Sequence, residues 1–235
     1  MIVFGAGPVR EALENAGHRV QKLLVADGRS LDADIKALVS TMGIKVQSVP
    51  KEKIAKLTGT HKHQGIAAVI APLTYMDAQD AMCAIRENNG IGVLLHDLYD
   101  PGNIGAVART CLFLGAQALI IAGHHTPGIT EAGVKASAGA VFKLPIAKIG
   151  NPKPFVEKFK AAGGWVIGLT LEGKDIREVK LPRPLLLVLG NESKGVPKKL
   201  SESCDEIARI PGSSIDSLNV SVAAAIGLWE FIRRR

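Results

Sequence analysis

Short, continuous apolar runs recur through the second half of the chain, with helical patterns between them. They lie at 91–95, 118–121, 165–169 and 185–189, so each is four or five residues long. Runs of this kind are typical of parallel strands that are covered on both faces. Strands that alternate with helices favour a parallel α/β sheet. We therefore predict an α/β fold with a parallel sheet from residue 91 onward.

Three polar islands, rich in Gly, Asn and Ser, interrupt this region. They are residues 100–105 with Arg109 downstream, residues 190–195, and residues 210–211 followed by 217–221. Each comes soon after a predicted strand, and in open α/β sheets the loops at the carboxyl ends of strands bind ligands. Packing alone does not require three such loops, so the islands predict one composite site.

Five polar residues of these islands are the candidates for chemistry. Asn103 is placed to cap a helix predicted over 104–114, and Arg109 follows six residues later, nearly two turns along, so both can face one crevice. Glu192 lies in a glycine-flanked turn, and Ser217 and Asn219 precede a last helix predicted over 220–234. Each candidate also has a purely structural interpretation that stays open: Arg109 as a solvated helix arginine, Glu192 as an exposed turn residue, and Ser217 or Asn219 as a helix cap.

Composition narrows the class of protein. The chain has 235 residues, 47% of them hydrophobic, and a net charge of +7, which favours a polyanionic partner such as nucleic acid. The first residues lack the pattern of a secretion signal, and no apolar run reaches the roughly 18 residues of a membrane helix. The three cysteines are far apart, and the His pairs at 61/63 and 124/125 lack thiolate or carboxylate ligands at helical spacing. We expect a cytoplasmic protein with no metal and no membrane segment.

The pattern of predicted helices and strands and the charge balance both change near residue 75. Residues 1–75 read as short alternating helices and strands, and they carry ten Lys and Arg against six Asp and Glu, which makes this part the more basic one per residue. Residues 76–90 read as a helical or irregular linker. We therefore predict two domains, over 1–75 and 91–235, joined by a linker over 76–90.

Taken together, the islands resemble the motifs of the SpoU-type RNA ribose 2′-O-methyltransferases of the SPOUT superfamily. The matching strings are Asp-Pro-Gly-Asn-Ile-Gly-Ala with Arg109, Leu-Gly-Asn-Glu-Ser-Lys-Gly-Val, and Ile-Pro with Ser-Leu-Asn-Val-Ser-Val-Ala. Residues 1–75 are similar to the small ribosomal-protein-like domain of that family through Gly5, Val9, residues 11–13 and residues 63–66. The whole architecture is most similar to the bacterial 23S rRNA guanosine-2′-O-methyltransferases.

This resemblance implies a fold, a cofactor and a set of site residues. The fold is a parallel-sheet SPOUT domain with a deep trefoil knot around S-adenosylmethionine. SPOUT domains are usually homodimers, for which Trp229 and Phe231 are interface candidates, with ordinary core packing as the alternative for both. The implied catalytic residues are Asn103, Arg109, Glu192, Ser217 and Asn219. The implied cofactor-binding residues are Leu169, Thr170, Gly190, Asn191, Gly195, Ile210, Pro211 and Leu218. The implied RNA-binding residues are Arg10, Lys62, His63 and Gln64. The span from Pro211 to Leu218 looks one residue shorter than the family pattern, which affects the expected adenosine contacts.

Three other functions compete with an rRNA guanosine methyltransferase. A tRNA 2′-O-methyltransferase would carry the same motifs. A non-catalytic RNA-binding ribosome-assembly factor would keep the fold, although it would not need all five polar residues. A methyltransferase of the Rossmann type would need an early glycine-rich loop and an acidic ribose-binding residue, whereas the only early glycine motif, residues 5–7, lacks its third glycine.

Overall fold

A computed structural model of the chain describes residues 1–191, 194–212 and 217–234. In these ranges the strands form two sheets, a mixed sheet near the N-terminus and a larger parallel sheet after residue 90. The predicted α/β class with a parallel C-terminal sheet is confirmed. The trefoil knot stays a prediction from the resemblance.

The N-terminal sheet has the strand order β1-β4-β2-β3. β2 pairs in parallel with β3, and β4 runs antiparallel to β1 and β2. The elements, in chain order, are β1 Ile2–Phe4, α1 Ala6–Ala16, β2 Val20–Ala26, α2 Ala33–Met42, β3 Val46–Val49, α3 Lys51–Thr58 and β4 Ile66–Ile70. The sequence did not predict β1 or α3, which are only three and eight residues long.

The second sheet has the order β10-β8-β9-β5-β6-β7 within the described ranges, and every pairing in it is parallel. Its strands are β5 Ile91–His96, β6 Ala118–Ala122, β7 Ile146–Ile149, β8 Trp165–Asp175, β9 Leu185–Leu189 and β10 Glu206–Arg209. The helices are α4 Ala78–Glu87, α5 Pro101–Phe113, α6 Glu131–Ala136, α7 Pro152–Ala161, α8 Lys198–Ser201 and α9 Val220–Arg233. All residues of β9 are buried, as a central strand covered on both faces requires.

Helices cover the two faces of the parallel sheet. Side chains of α5, α6 and α9 belong to one buried apolar cluster, and those of α4, α7 and α8 belong to a second cluster on the other face. The predicted linker therefore contains a helix, α4, which packs against β6 and β7. The proposed division of the chain at residues 75 and 90 stays a prediction. No helix in the described part of the chain is long and apolar enough to cross a membrane.

Candidate active site

The first polar island forms the start of α5, at the carboxyl end of β5. Asp100 is the N-cap: its Oδ1 accepts a hydrogen bond of 2.8 Å from the Gly102 amide, and Pro101 takes the first helical position. The prediction that Asn103 caps this helix is wrong, because the Asp-Pro pair begins it three residues earlier. Asn103 instead lies in the first turn, where its side chain is available for another partner.

One side of α5 is buried against the sheet and the other carries the candidate residues. The buried residues are Ile104, Gly105, Val107, Ala108 and Cys111. Asn103 is partly exposed and Arg109 is exposed. Arg109 makes no hydrogen bond or ion pair with any residue in the described ranges. Its guanidinium group is thus available to an incoming anionic group.

Asn219 joins the third island to the first. Its Oδ1 caps α9 by accepting hydrogen bonds from the Ser221 amide at 2.9 Å and from the Ser221 hydroxyl at 2.6 Å. Its Nδ2 donates a bond of 3.0 Å to Oδ1 of Asn103, a residue 116 positions earlier in the chain. Helices α5 and α9 pack against each other around this contact. Two of the five predicted catalytic residues are therefore in direct contact.

The second island is tied to the end of β5 through Asn191. This side chain is buried, and its Nδ2 donates a hydrogen bond of 2.9 Å to the backbone carbonyl of Asp97. Asp97 has a left-handed backbone with φ of 52°, which is uncommon outside glycine. Sequence reasoning missed Asp97, since a single acidic residue after a strand gives no sign of such a backbone. The contact holds the first two islands side by side.

The turn of the second island leaves no room for a side chain at Gly190. A methyl group added there would lie 1.9 Å from the carbonyl oxygen of Gly195. The Gly195 amide closes the turn by donating a 2.7 Å bond to the Asn191 carbonyl. Glycine is therefore required at position 190 because the two arms of the turn approach each other through their backbones.

The other predicted cofactor-binding residues lie within β8, directly after β10 and just before α9. β10 pairs with β8 at Gly168 and again at Lys174, so residues 169–173 of β8 have no partner in β10, although Leu169 still pairs with Leu189 of β9. Leu169 and Thr170 begin this stretch of β8, in which the Thr170 hydroxyl donates a hydrogen bond to the Glu172 carbonyl. Ile210 is partly buried, Leu218 is 37% exposed, and Pro211 is exposed. An adenosine needs apolar walls and a few polar backbone groups, and the side chains of Leu169, Ile210 and Leu218 are of the apolar kind that such a site uses.

Two predicted parts of the site lie wholly or mostly outside the described residues. Glu192 lies outside the described residues, and so does most of the shortened span between Pro211 and Leu218. Ser217 is described and exposed. Among the described residues no cluster of three or more His, Cys, Asp or Glu side chains could hold a metal ion.

The predicted RNA-binding residues lie around the start of α1. Arg10 is exposed and forms an ion pair of 2.8 Å with Asp34, whose pKa this hydrogen bond lowers below its usual value. Lys62 and Gln64 are exposed, and Oε1 of Gln64 accepts a bond of 2.8 Å from the Ala6 amide at the start of α1. The four residues are therefore not equivalent, since Arg10 and Gln64 already have protein partners.

His63 differs from the other three predicted RNA-binding residues in being buried. The side chain has no exposed surface, and its Nδ1 accepts a 3.0 Å bond from the Gly65 amide. Burial lowers the pKa of His63, which keeps the imidazole neutral. In this conformation the imidazole shapes the loop that carries Gln64 from inside, and a contact of His63 with RNA stays a prediction.

The two aromatic residues expected at a dimer interface have different environments. Trp229 is 57% exposed on α9, whereas Phe231 is only 2% exposed and lies 4.4 Å from the guanidinium of Arg183. Phe231 is thus a core residue, and its assignment to an interface is wrong. Phe113 of α5 is 87% exposed and Val222 of α9 is 45% exposed, so the packed pair of helices presents apolar side chains on its outer side.

Both parts of the chain match known protein families. Residues 90–229 match the SpoU rRNA Methylase family, and residues 2–76 match the RNA 2′-O ribose methyltransferase substrate-binding family. A Staphylococcus saprophyticus protein assigned to the TrmH family of tRNA/rRNA methyltransferases is 34% identical and covers all of this chain and 96% of its own length.

Two solved structures cover both parts of the chain. The SpoU methyltransferase AviRb of Streptomyces viridochromogenes, in complex with AdoMet, has a TM-score of 0.83 at 28% identity and covers 100% of this chain and 90% of its own. The AdoMet-bound rRNA methyltransferase of Sinorhizobium meliloti has a TM-score of 0.81 at 27% identity, with 99% and 87% covered.

Proposed function

The chain belongs to the SpoU rRNA methylase family of RNA 2′-O-ribose methyltransferases, and we propose that it methylates the ribose of a guanosine in 23S rRNA. The observation that carries the proposal is the hydrogen bond between Asn219 and Asn103, because it assembles two islands beside the exposed Arg109. A chain that only bound RNA would not need these polar groups in one crevice.

The chemical task is to align a ribose 2′-hydroxyl, a poor nucleophile, and to relieve it of its proton. An arginine keeps its positive charge at neutral pH and forms forked hydrogen bonds to phosphate. We assign Arg109 to the phosphate next to the target ribose and to the negative charge that develops on its oxygen. Asn103 and Asn219 hold the polar wall of the crevice, and we assign Ser217 and Glu192 to the same chemistry from the sequence resemblance.

S-Adenosylmethionine supplies the methyl group, carried on a positively charged sulfur. The backbone of Gly190 and Gly195, with the apolar side chains of Leu169, Ile210 and Leu218, would hold its adenosine. Thr170, Asn191 and Pro211 complete this wall. Asn191 keeps the wall next to α5 through its bond to Asp97.

Residues 1–75 would bind the RNA, residues 76–90 would connect the domains, and residues 91–235 would perform the transfer. Lys62 and Arg10 would contact phosphate, and Gln64 an RNA edge; no metal is required. The choice of rRNA rests on the family description and on the similarity to the S. meliloti rRNA methyltransferase. The choice of guanosine rests on the resemblance of the whole architecture, and rRNA as substrate places the protein in the cytoplasm.

The functional form would be a homodimer. Phe113, Val222 and Trp229 are exposed and lie on two helices that pack together, and we infer that they belong to one apolar patch, the kind of surface that marks an interaction site. A second copy of the chain would cover this patch. Such an interface brings the crevices of both copies near one another, since α5 and α9 also carry Asn103 and Asn219.

The proposed function is tested with RNA from cells that lack the gene. The protein and radiolabelled S-adenosylmethionine are incubated with this RNA, and label is followed into 23S rRNA and tRNA, with the modified nucleotide mapped by primer extension. We expect label at one guanosine of 23S rRNA. Label in tRNA alone would mean that the protein is a tRNA 2′-O-methyltransferase, and no label in any RNA would favour the non-catalytic assembly factor.

Arg109→Ala supplies the matching variant. We expect it to lower kcat by at least about a thousandfold, which corresponds to about 4 kcal/mol of lost transition-state stabilisation. Its affinity for S-adenosylmethionine, measured by calorimetry, should stay unchanged. Arg86→Ala removes an exposed arginine from α4, on the other face of the sheet, and serves as the control. Full activity of Arg109→Ala would exclude Arg109 from the reaction.

A further inference from the structure

The N-terminal part and the parallel-sheet part share one buried apolar cluster, and α6 lies at their junction. The cluster includes Val9 and Leu13 of α1 as well as Val107 of α5 and Val134 of α6. α6 contacts β1 on one side and α5 on the other. The short 3-10 helix that follows, Ala140–Phe142, also packs between α1 and α5. This segment therefore connects the proposed RNA-binding domain to the helix that carries Arg109.

A carboxylate closes this junction at the open edge of the N-terminal sheet. β1 is an edge strand, and the mutual hydrogen bonds between Met1 and Ile70 leave the Ile2 amide directed away from β4. Oε1 of Glu131, the first residue of α6, accepts from this amide at 2.7 Å. An unpaired donor on a sheet edge is thereby satisfied by a charged acceptor from the other domain.

Tyr75 makes a second hydrogen bond across the same junction. Its hydroxyl oxygen accepts from the Ile129 amide at 2.8 Å, just before α6 begins. A cavity of about 410 Å³ lies between the two bonds, lined in part by Leu73, Tyr75, Ile129 and Glu131. Because this edge of the junction borders an open cavity, packing is less dense here than in the shared apolar cluster. The two hydrogen bonds, which we name the latch, therefore carry more of the orientation.

The other side of α6 is in backbone contact with the catalytic helix. A methyl group added to Gly105 of α5 would lie 2.2 Å from the carbonyl oxygen of Gly133 in α6. One added to Gly133 would lie 3.1 Å from the carbonyl oxygen of Pro101. With no side chains between them, the two helices cannot move toward each other, and a shift of α6 is transmitted to the first turn of α5. That turn carries Asn103.

We infer that Glu131 is a positioning residue for methyl transfer: through the latch, it orients the RNA held by the N-terminal domain relative to Arg109. This inference rests on the proposed function. Without the latch, the N-terminal domain still binds RNA, but it presents the target ribose in a range of orientations. Correct orientation of reactants contributes strongly to rate. The loss therefore affects turnover rather than RNA binding.

The experiment compares Glu131→Ala, Glu131→Gln and Glu157→Ala. Alanine removes the acceptor, glutamine keeps an oxygen that can accept from the Ile2 amide, and Glu157 is an exposed glutamate on α7, on the opposite face of the sheet. RNA from cells lacking the gene is the substrate. We expect Glu131→Ala to lower kcat about tenfold, the effect of losing one hydrogen bond to a charged group. The Kd values for that RNA and for S-adenosylmethionine should stay within about twofold.

Rescue and shape measurements separate orientation from folding. Glu131→Gln and Glu157→Ala should keep near-normal kcat, and small-angle X-ray scattering should show a larger radius of gyration for Glu131→Ala alone. Adding Tyr75→Phe, which keeps the ring but removes the second acceptor, should deepen the loss of kcat. Normal kcat in Glu131→Ala would overturn the inference, and so would loss of S-adenosylmethionine binding, which would mean that Glu131 supports the fold. If the wild-type protein methylates no RNA, the proposed function fails, and an unchanged radius of gyration in Glu131→Ala would then refute the latch separately.

Discussion

Replacing Asn219 separates the two tasks that this side chain performs. It caps α9 through Ser221 and connects α9 to Asn103 of α5. Asn219→Ala removes both contacts. Serine is an equally good N-cap but is too short to span the distance to Asn103, so Asn219→Ser removes only the connection. Asn151→Ala is the matched control, because Asn151 caps α7 through the Lys153 amide.

The expected losses of stability follow from these contacts. An N-cap contributes about 1 kcal/mol, and an exposed neutral hydrogen bond such as that between Asn219 and Asn103 contributes about 0.5 to 1 kcal/mol. Asn219→Ala should therefore cost about 1.5 to 2 kcal/mol, Asn151→Ala about 1, and Asn219→Ser about 0.5 to 1. For a chain of this size, 1 kcal/mol lowers Tm by about 2 to 4 °C. Differential scanning calorimetry can thus rank the three variants.

Activity should follow a different order from stability. Because the connection aligns the first and third islands, both Asn219 variants should lose at least about tenfold in kcat, equivalent to about 1.4 kcal/mol. Asn151→Ala should keep full kcat although it is less stable than Asn219→Ser or equal to it. Methyl transfer at saturating RNA and S-adenosylmethionine measures this. Full kcat in Asn219→Ser would refute the argument that the connection assembles the site.

Three further predictions concern charge and assembly. Hydrogen bonds from Arg233, with a further contribution from Arg234, lower the pKa of Glu230 below its usual 4.5 despite the opposing effect of burial. The contribution of ionised Glu230 to folding stability is therefore complete above pH 4.5 and is lost as pH falls through the folded-state pKa. Unfolding of Glu230→Gln should accordingly depend less on pH below 4.5 than that of the wild type, and equal dependence would contradict this. Changing Arg10 and Lys62 together to Gln should flatten the slope of log K for RNA against log salt by about one to two units, whereas the same change at Lys153 and Lys158 of α7 should not. Trp229→Lys should convert a dimer to a monomer in light scattering, and an intact dimer would exclude α9 from the interface.

The strands were the part of the fold that sequence could predict. Runs such as 91–95 and 185–189 became β5 and β9 because a strand buried on both faces needs apolar residues at every position. The cap at Asn219 also follows from the sequence, since an Asn before a helical pattern has a local role. By contrast, β10 was missed. It is an edge strand of four residues, and its polar ends do not follow the apolar pattern of its neighbours.

Errors at the site came from local rules applied at the wrong residue. Asn103 was taken as the cap although Asp100 precedes a proline, the better N-terminal signal. Trp229 and Phe231 were grouped although residues two apart point to different sides of a helix, and the structure places one outside and one in the core. The burial of His63 had no local signal, because it depends on how the loop before β4 folds over the N-terminal domain.

The structural and functional interpretations of the polar islands are not alternatives. Asn219 is a cap, as its sequence position suggests, yet the same amide donates to Asn103 across 116 residues. Asn191 is a turn residue whose amide also holds the backbone of Asp97. An asparagine can perform both tasks because its carbonyl oxygen accepts while its nitrogen donates two bonds. For a cap alone, aspartate or serine would serve as well, but an aspartate carboxylate cannot donate and a serine hydroxyl is too short to reach Asn103. The link between local structure and the assembled site therefore needs a side chain that both donates and reaches.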